Sequence, residues 1–153
     1  MPKVAIVMGS TSDAEVMSVA REYLQYFNIE SEVFTLSAHR TPDQTAQFAK
    51  SAADNGFSAI IAGAGMAAHL PGVIASYTML PVIGVPLAGS ALNGVDALYA
   101  IVQMPGGVPV ATMAIGKPGA ANAAVFCARI LAARHDDIRQ KLTRFVANGC
   151  KIG

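Results

Sequence analysis

Three short stretches gather most of the side chains able to do chemistry. They are GSTSD (Gly9–Asp13), SAHRTP (Ser37–Pro42) and GAGMAAHLPG (Gly63–Gly72). They supply Ser10, Ser12, Asp13, Ser37, His39, Arg40 and His69, including two of the three histidines in the chain. At the start of a helix, the amides and hydroxyls of GSTSD suit a phosphate. The plainer role is a Ser12 cap with Asp13 complementing the helix dipole. The stretch is no P-loop, and Gly116-Lys117 is followed by Pro118 rather than Ser or Thr. In SAHRTP, Arg40 offers a two-pronged fork for phosphate or carboxylate. His39 brings the side chain type best suited to proton exchange near neutral pH. A solvated loop pair is the bland alternative for both.

The glycine stretch fits G-x-G-x-x-G/A through Gly63, Gly65 and Ala68. It nevertheless fails as a dinucleotide fingerprint. It follows the third apolar run rather than the first, and VIGVPLAG stands where an acidic residue would hold a ribose. The glycines instead let backbone approach a small flat ligand. His69 taken alone could equally be a helical histidine bonded to backbone. His135, beside Asp136 and Asp137, reads as a solvated charge cluster. No C-x-x-C or H-E-x-x-H spacing suggests a metal, and no G-x-S-x-G elbow occurs. The third strand ends at Gly63 rather than an Asp, which disfavours a phosphoacceptor site.

Strands and helices alternate along the chain in the way needed to hold these stretches. Lys3–Gly9, Glu32–Ser37, Phe57–Ala62, Pro81–Val85 and Pro109–Ala114 read as strands. Helices are predicted over Ser12–Phe27, from Thr41 to about Asn55, and over Val95–Met104, Gly119–Ala133 and Asp136–Ala147. Val16, Val19, Ala20, Tyr23, Leu24 and Phe27 share one face of the first helix. Ser12 with Glu15, and Thr41 with Gln44, match capping boxes, and Pro42 fits a first helical position. Gly56 stops the second helix. Apolar strands alternating with helices mean a parallel sheet covered on both faces. The fold class is therefore α/β: a three-layer α/β/α single domain, residues 1–153, with a five-stranded flavodoxin-like sheet in order 2-1-3-4-5 and C-terminal helices. That order puts strand 1 between strands 2 and 3, so all three stretches leave one sheet edge as neighbours.

Composition narrows the partners. The chain is 53% hydrophobic and 14% charged, with net charge +1. Such a balance suggests neither a nucleic-acid partner nor an anionic-membrane anchor. From His69 to Ala128 only Asp96 and Lys117 are charged, but prolines and glycines cut the segment below the ~20 residues of a spanning helix. Cys127 and Cys150 read as reduced thiols in a cytosolic protein, and no signal peptide is evident. The helix AANAAVFCARILAA is apolar nearly all round. It is either central to the subunit or buried between subunits, and a homo-oligomer is expected.

Together VAIVMGSTSD, SAHRTPD, IIAGAGMAAHLPGV, PVIGVPL and GVDALYAIVQMPGGVPVATMAIGKPGAANAA resemble the N5-carboxyaminoimidazole ribonucleotide mutase family. This is the PurE family, class I, of bacterial purine biosynthesis. The resemblance runs nearly the whole chain in collinear order. It implies an isomerase that converts N5-carboxyaminoimidazole ribonucleotide to 4-carboxyaminoimidazole ribonucleotide. Carbon dioxide leaves the exocyclic nitrogen, stays trapped, and is captured at ring carbon 4. It implies no metal, biotin, nucleoside triphosphate or other cofactor. It also implies a cytoplasmic homo-octamer with active sites at subunit junctions, linked functionally to a separate ATP-dependent carboxylating enzyme.

By resemblance, His39 is the acid/base. Arg40, Ser12 and Ser37 hold the phosphate, and Asp13 the ribose hydroxyls. Ser10, Ala64 and Gly65 line the base and carboxyl pocket with His69 beside it, and Ala38, Met66 and Leu70 complete the substrate contacts. The chain departs from the family pattern at Met66, where glycine is common. GAG-x-AAHLPG marks the mutase rather than its relative, an aminoimidazole ribonucleotide carboxylase using carbon dioxide directly. That carboxylase, and a non-catalytic nucleotide-binding module of flavodoxin-like fold, are the alternatives.

Overall fold

A computed structural model describes the whole chain, Met1–Gly153. Its strands are β1 (Lys3–Met8), β2 (Glu30–Thr35), β3 (Phe57–Gly65), β4 (Val82–Leu87) and β5 (Ala111–Thr112). Its helices are α1 (Ala14–Tyr26), α2 (Pro42–Ser51), α3 (Leu70–Tyr77), α4 (Val95–Val102), α5 (Lys117–Leu131) and α6 (Asp136–Ala147). The strands form one five-stranded sheet in the order β2-β1-β3-β4-β5, and every pairing is parallel. The expected order and layering therefore hold.

Alternation along β1 shows how the layers form. Successive strand side chains point to opposite faces. Val4, Ile6 and Met8 join a core with α1, α5 and α6. Ala5 and Val7 join a second core with α2, α3 and α4. Both faces are covered, which is why β1, β3 and β4 read as unbroken apolar runs. The predicted face of α1 packs as expected, with Ala20, Leu24 and Phe27 buried beside Met17.

The apolar α5 finds its cover inside the subunit. Ala120, Ala123, Ala124, Cys127, Ala128 and Leu131 are all in the first core. Its composition thus follows from a central position, the first of the two alternatives posed by the sequence.

Five expectations need correction. Ser12 and Glu15 do not form a capping box. The chain leaves β1 through a single 3-10 turn at Thr11–Asp13, so Ser10 is the cap and Asp13 its partner. Glu15 instead pairs with Lys117, Oε1 to Nζ at 3.0 Å. Thr41 does sit at the N-cap of α2 with Pro42 following, but its side chain makes no cap bond, so no box with Gln44 forms. β3 runs on to Gly65, past the predicted end at Ala62. β5 shrinks from Pro109–Ala114 to two paired residues, because Pro109 has no N–H to give the ladder at this edge. α2 ends at Ser51 rather than Asn55, and turns lead to Gly56, whose φ of +83° suits glycine.

Candidate active site

In an open parallel sheet the carboxyl ends of the strands frame the ligand crevice. Here the segments leaving β1, β2 and β3 meet around a cavity of about 430 Å³. Ser10, Ser12, Asp13, Ser37, Ala38, His39, Ala64, Gly65, Met66, His69 and Leu70 all contribute to its wall. Arg40 alone among the predicted site residues is absent from the wall. Its side chain is exposed, and its backbone N–H donates to Ser37 Oγ at 3.0 Å.

The wall at the β1 end is a knot of short polar bonds. Ser12 N–H donates to Ser10 Oγ at 3.3 Å, and the Ser12 hydroxyl donates to the same atom at 2.9 Å. Ser10 N–H donates to Asp13 Oδ2 at 3.2 Å. Asp13 is the sole carboxylate in the wall. Burial pushes its carboxyl above the usual 3.8, and the Ser10 amide partly opposes that rise by bonding the charged form. The wall contains no Lys or Arg.

Across the cavity two imidazoles touch. His39 Nε2 lies 2.6 Å from His69 Nδ1. The rings stand edge to face, with centroids 4.7 Å apart and planes at 78°. One nitrogen must donate its proton and the other accept, so the contact couples the two tautomers. A proton on either ring can be handed across this bridge. His39 comes from the loop after β2, and His69 is the N-cap of α3. No group of three or more His, Cys, Asp or Glu side chains gathers as a metal site.

Gly63 and Gly65 lie inside β3, so they form no phosphate-cradling turn. A Cβ on Gly63 would collide with the Met17 side chain, and one on Gly65 would come within 3.3 Å of the Leu87 carbonyl oxygen. Close packing accounts for both. Met66 has a left-handed backbone, φ +54°, and its side chain is 64% exposed at the cavity wall. That conformation costs a side-chain-bearing residue roughly 1–2 kcal/mol, which explains why glycine suits the position.

The sequence reading missed Ala88 and Gly89, which follow β4 and close the wall beside β3. Strand order alone could have found them, since β4 adjoins β3. The VPLAG run carries no reactive side chain, so residue type alone does not mark it as part of the wall.

Comparisons with known proteins give the family and the fold. The family model described as AIR carboxylase matches residues 3–150. The N5-carboxyaminoimidazole ribonucleotide mutase of Escherichia coli (strain K12) is 56% identical over 140 residues, covering 92% of this chain and 83% of that protein. The protein of the same name from Bacillus subtilis is 55% identical over 141 residues, covering 92% and 87%. The crystal structure of Treponema denticola PurE superposes with a TM-score of 0.88 at 25% identity, covering 97% of this chain and 92% of that one. With a matching model from end to end, relatives at this identity and the same three-layer fold, the chain belongs to the AIR carboxylase family.

Proposed function

We infer that the chain is the isomerase that turns N5-carboxyaminoimidazole ribonucleotide into 4-carboxyaminoimidazole ribonucleotide, as the names of its relatives at 51–56% identity indicate. The observation that carries the reading is the His39–His69 bridge of 2.6 Å in the wall of the cavity. The reaction needs one proton delivered and one removed. Protonation of the exocyclic nitrogen breaks its bond to the carboxyl carbon and frees carbon dioxide. Ring carbon 4 attacks that carbon dioxide to form the new carbon–carbon bond. Carbon 4 then gives up its hydrogen and the ring regains aromaticity. The proton given at nitrogen is recovered at carbon, so atoms and charge balance without a co-reactant.

His39 serves as the acid and then the base, with His69 as its hydrogen-bonded neighbour. Ser12 and Ser37 hold the phosphate, with Arg40 reaching in from the rim. Asp13 takes the ribose hydroxyls. Ser10, Ala64 and Gly65 face the base, and Ala38, Met66 and Leu70 close the apolar side. Bound substrate that fills the cleft and displaces its water keeps the carbon dioxide in reach of carbon 4.

The decisive assay supplies N5-carboxyaminoimidazole ribonucleotide without ATP and follows the ultraviolet absorbance of the product. His39→Asn should abolish turnover and leave the assembly state unchanged; near-normal turnover would remove the acid/base role. The family description also names a carboxylase. Product formed only from aminoimidazole ribonucleotide and bicarbonate would transfer the assignment to that reaction.

The assembly belongs to the same proposal. No helix is long and apolar enough to cross a membrane. Tyr77, Met79, Leu92, Tyr99 and Val102 are nonetheless exposed on and around α3 and α4. Such a surface supports self-association, and the family resemblance makes the assembly a homo-octamer. The substrate carries an unstable N-carboxyl group, so a separate ATP-dependent carboxylating enzyme must supply it, and both would work in the cytoplasm.

A further inference from the structure

Thr41 occupies a cap position and does something else. A threonine at the N-cap of a helix ordinarily accepts a bond from the second or third helical amide. Thr41 makes no such bond. Its hydroxyl turns back four residues. Oγ1 accepts from Ser37 N–H at 2.9 Å and donates to the Ser37 carbonyl at 3.0 Å. One side chain therefore grips both backbone polar groups of Ser37. Thr41 N–H reinforces the closure by donating to the same carbonyl at 2.9 Å.

Thr45 backs this clasp from one turn further on. It is the only fully buried polar side chain in the protein. Its hydroxyl lies 2.9 Å from the Thr41 carbonyl and 3.2 Å from the Ser37 carbonyl. A buried hydroxyl is costly unless bonded, and here its bonds go to the two ends of one loop. The middle residue of that loop is His39, whose ring must meet His69 at 2.6 Å.

We propose that Thr41, backed by Thr45, is a positioning residue that sets the His39 imidazole for proton transfer. The loop is stapled at both ends, which narrows the conformations open to the His39 backbone and so the approaches of its ring to His69. General acid/base chemistry depends on that approach, and a 1 Å misplacement can cost on the order of a hundredfold in rate. The inference rests on the mutase reading and on His39 as its proton carrier.

The test compares Thr41→Val with Thr41→Ser in the mutase assay, using the full chain. Valine keeps the shape and removes the hydroxyl; serine keeps the hydroxyl. Thr41→Val should lower kcat by about ten- to a hundredfold while KM stays within about threefold. Thr41→Ser should restore kcat, and rates referred to the folded fraction measured by circular dichroism separate this from a general loss of stability. A Thr41→Val kcat within about twofold of the parent, or equal losses in both variants, overturns the proposal. Should Thr41→Val fail to fold, Thr45→Val takes its place, since it leaves the Thr41–Ser37 bonds intact. It should lower kcat by a few fold at constant KM, and an unchanged kcat overturns the proposal. A parent enzyme that forms no product from the carboxyamino substrate defeats the mutase reading and this inference with it. An active parent with an active Thr41→Val defeats the inference alone.

Discussion

Asp13 holds two duties that pull against each other. Its carboxylate accepts the Ser10 amide and so shapes the turn into α1. It is also the one carboxylate facing the cavity. Burial raises its proton affinity above that of an ordinary Asp at 3.8. The unfolded chain therefore ionises first as pH rises from that value, and the folded chain follows later. Stability contributed by this group is complete below the unfolded value, falls as pH climbs through the folded value, and remains reduced at neutral pH. Asp13→Asn keeps an oxygen for the Ser10 amide and removes the charge. Calorimetry should show the variant melting no lower than the parent at pH 7, with any advantage shrinking toward pH 4. A variant that melts lower at pH 7 and recovers near pH 4 would contradict this. Nucleotide affinity should drop by about 1.5–3 kcal/mol through lost charge-assisted bonds, and titration calorimetry reads it directly.

At the scale of elements, α5 shows how little clearance the layers leave. A Cβ placed on Gly119 would overlap the Ala114 carbonyl oxygen and sit 3.2 Å from Val85. Backbone cannot yield as a flexible side chain can. Gly119→Ala should therefore lift the first turn of α5 from β4 and cost about 1–3 kcal/mol or more, seen as a lower urea midpoint. An unchanged midpoint would mean that the turn relaxes freely. Most elements could be read from periodicity alone, because a parallel sheet buried on both faces leaves unbroken apolar strands between amphipathic helices. The failures were local. Ser10-x-x-Asp13 and Ser12-x-x-Glu15 fit the capping pattern equally well, and only the path out of β1 decides between them. Thr41 fits a cap until its tertiary bonds to Ser37 are seen. The same limit applies at the site. Strand order brings three loops together, but nothing in the spacing of His39 and His69, thirty residues apart, says that their rings touch. Nor does it say that Arg40 would stand outside the cavity wall.

For the whole molecule, the unpaired surface is the informative feature. α5 is satisfied within the subunit, so apolar composition there needs no partner. Tyr99 is 64% exposed and Met79 fully exposed on the other side of the sheet, and these do call for one. Sedimentation should find a particle near eight times 15.8 kDa, and Tyr99→Asp should lighten it. A parent that sediments as a single chain at micromolar concentration would remove the octamer. The sheet order adds a consequence that concerns time. The strand at its centre, β3, starts at Phe57, yet one neighbour, β1, starts at Lys3. The cavity exists only where the ends of four such strands converge. Distant pairings of this kind form slowly, because the chain between them must first be ordered. No early, locally folded fragment can own the pocket, so a newly made chain gains its chemistry only once the segments from Gly9 to Gly89 have come together.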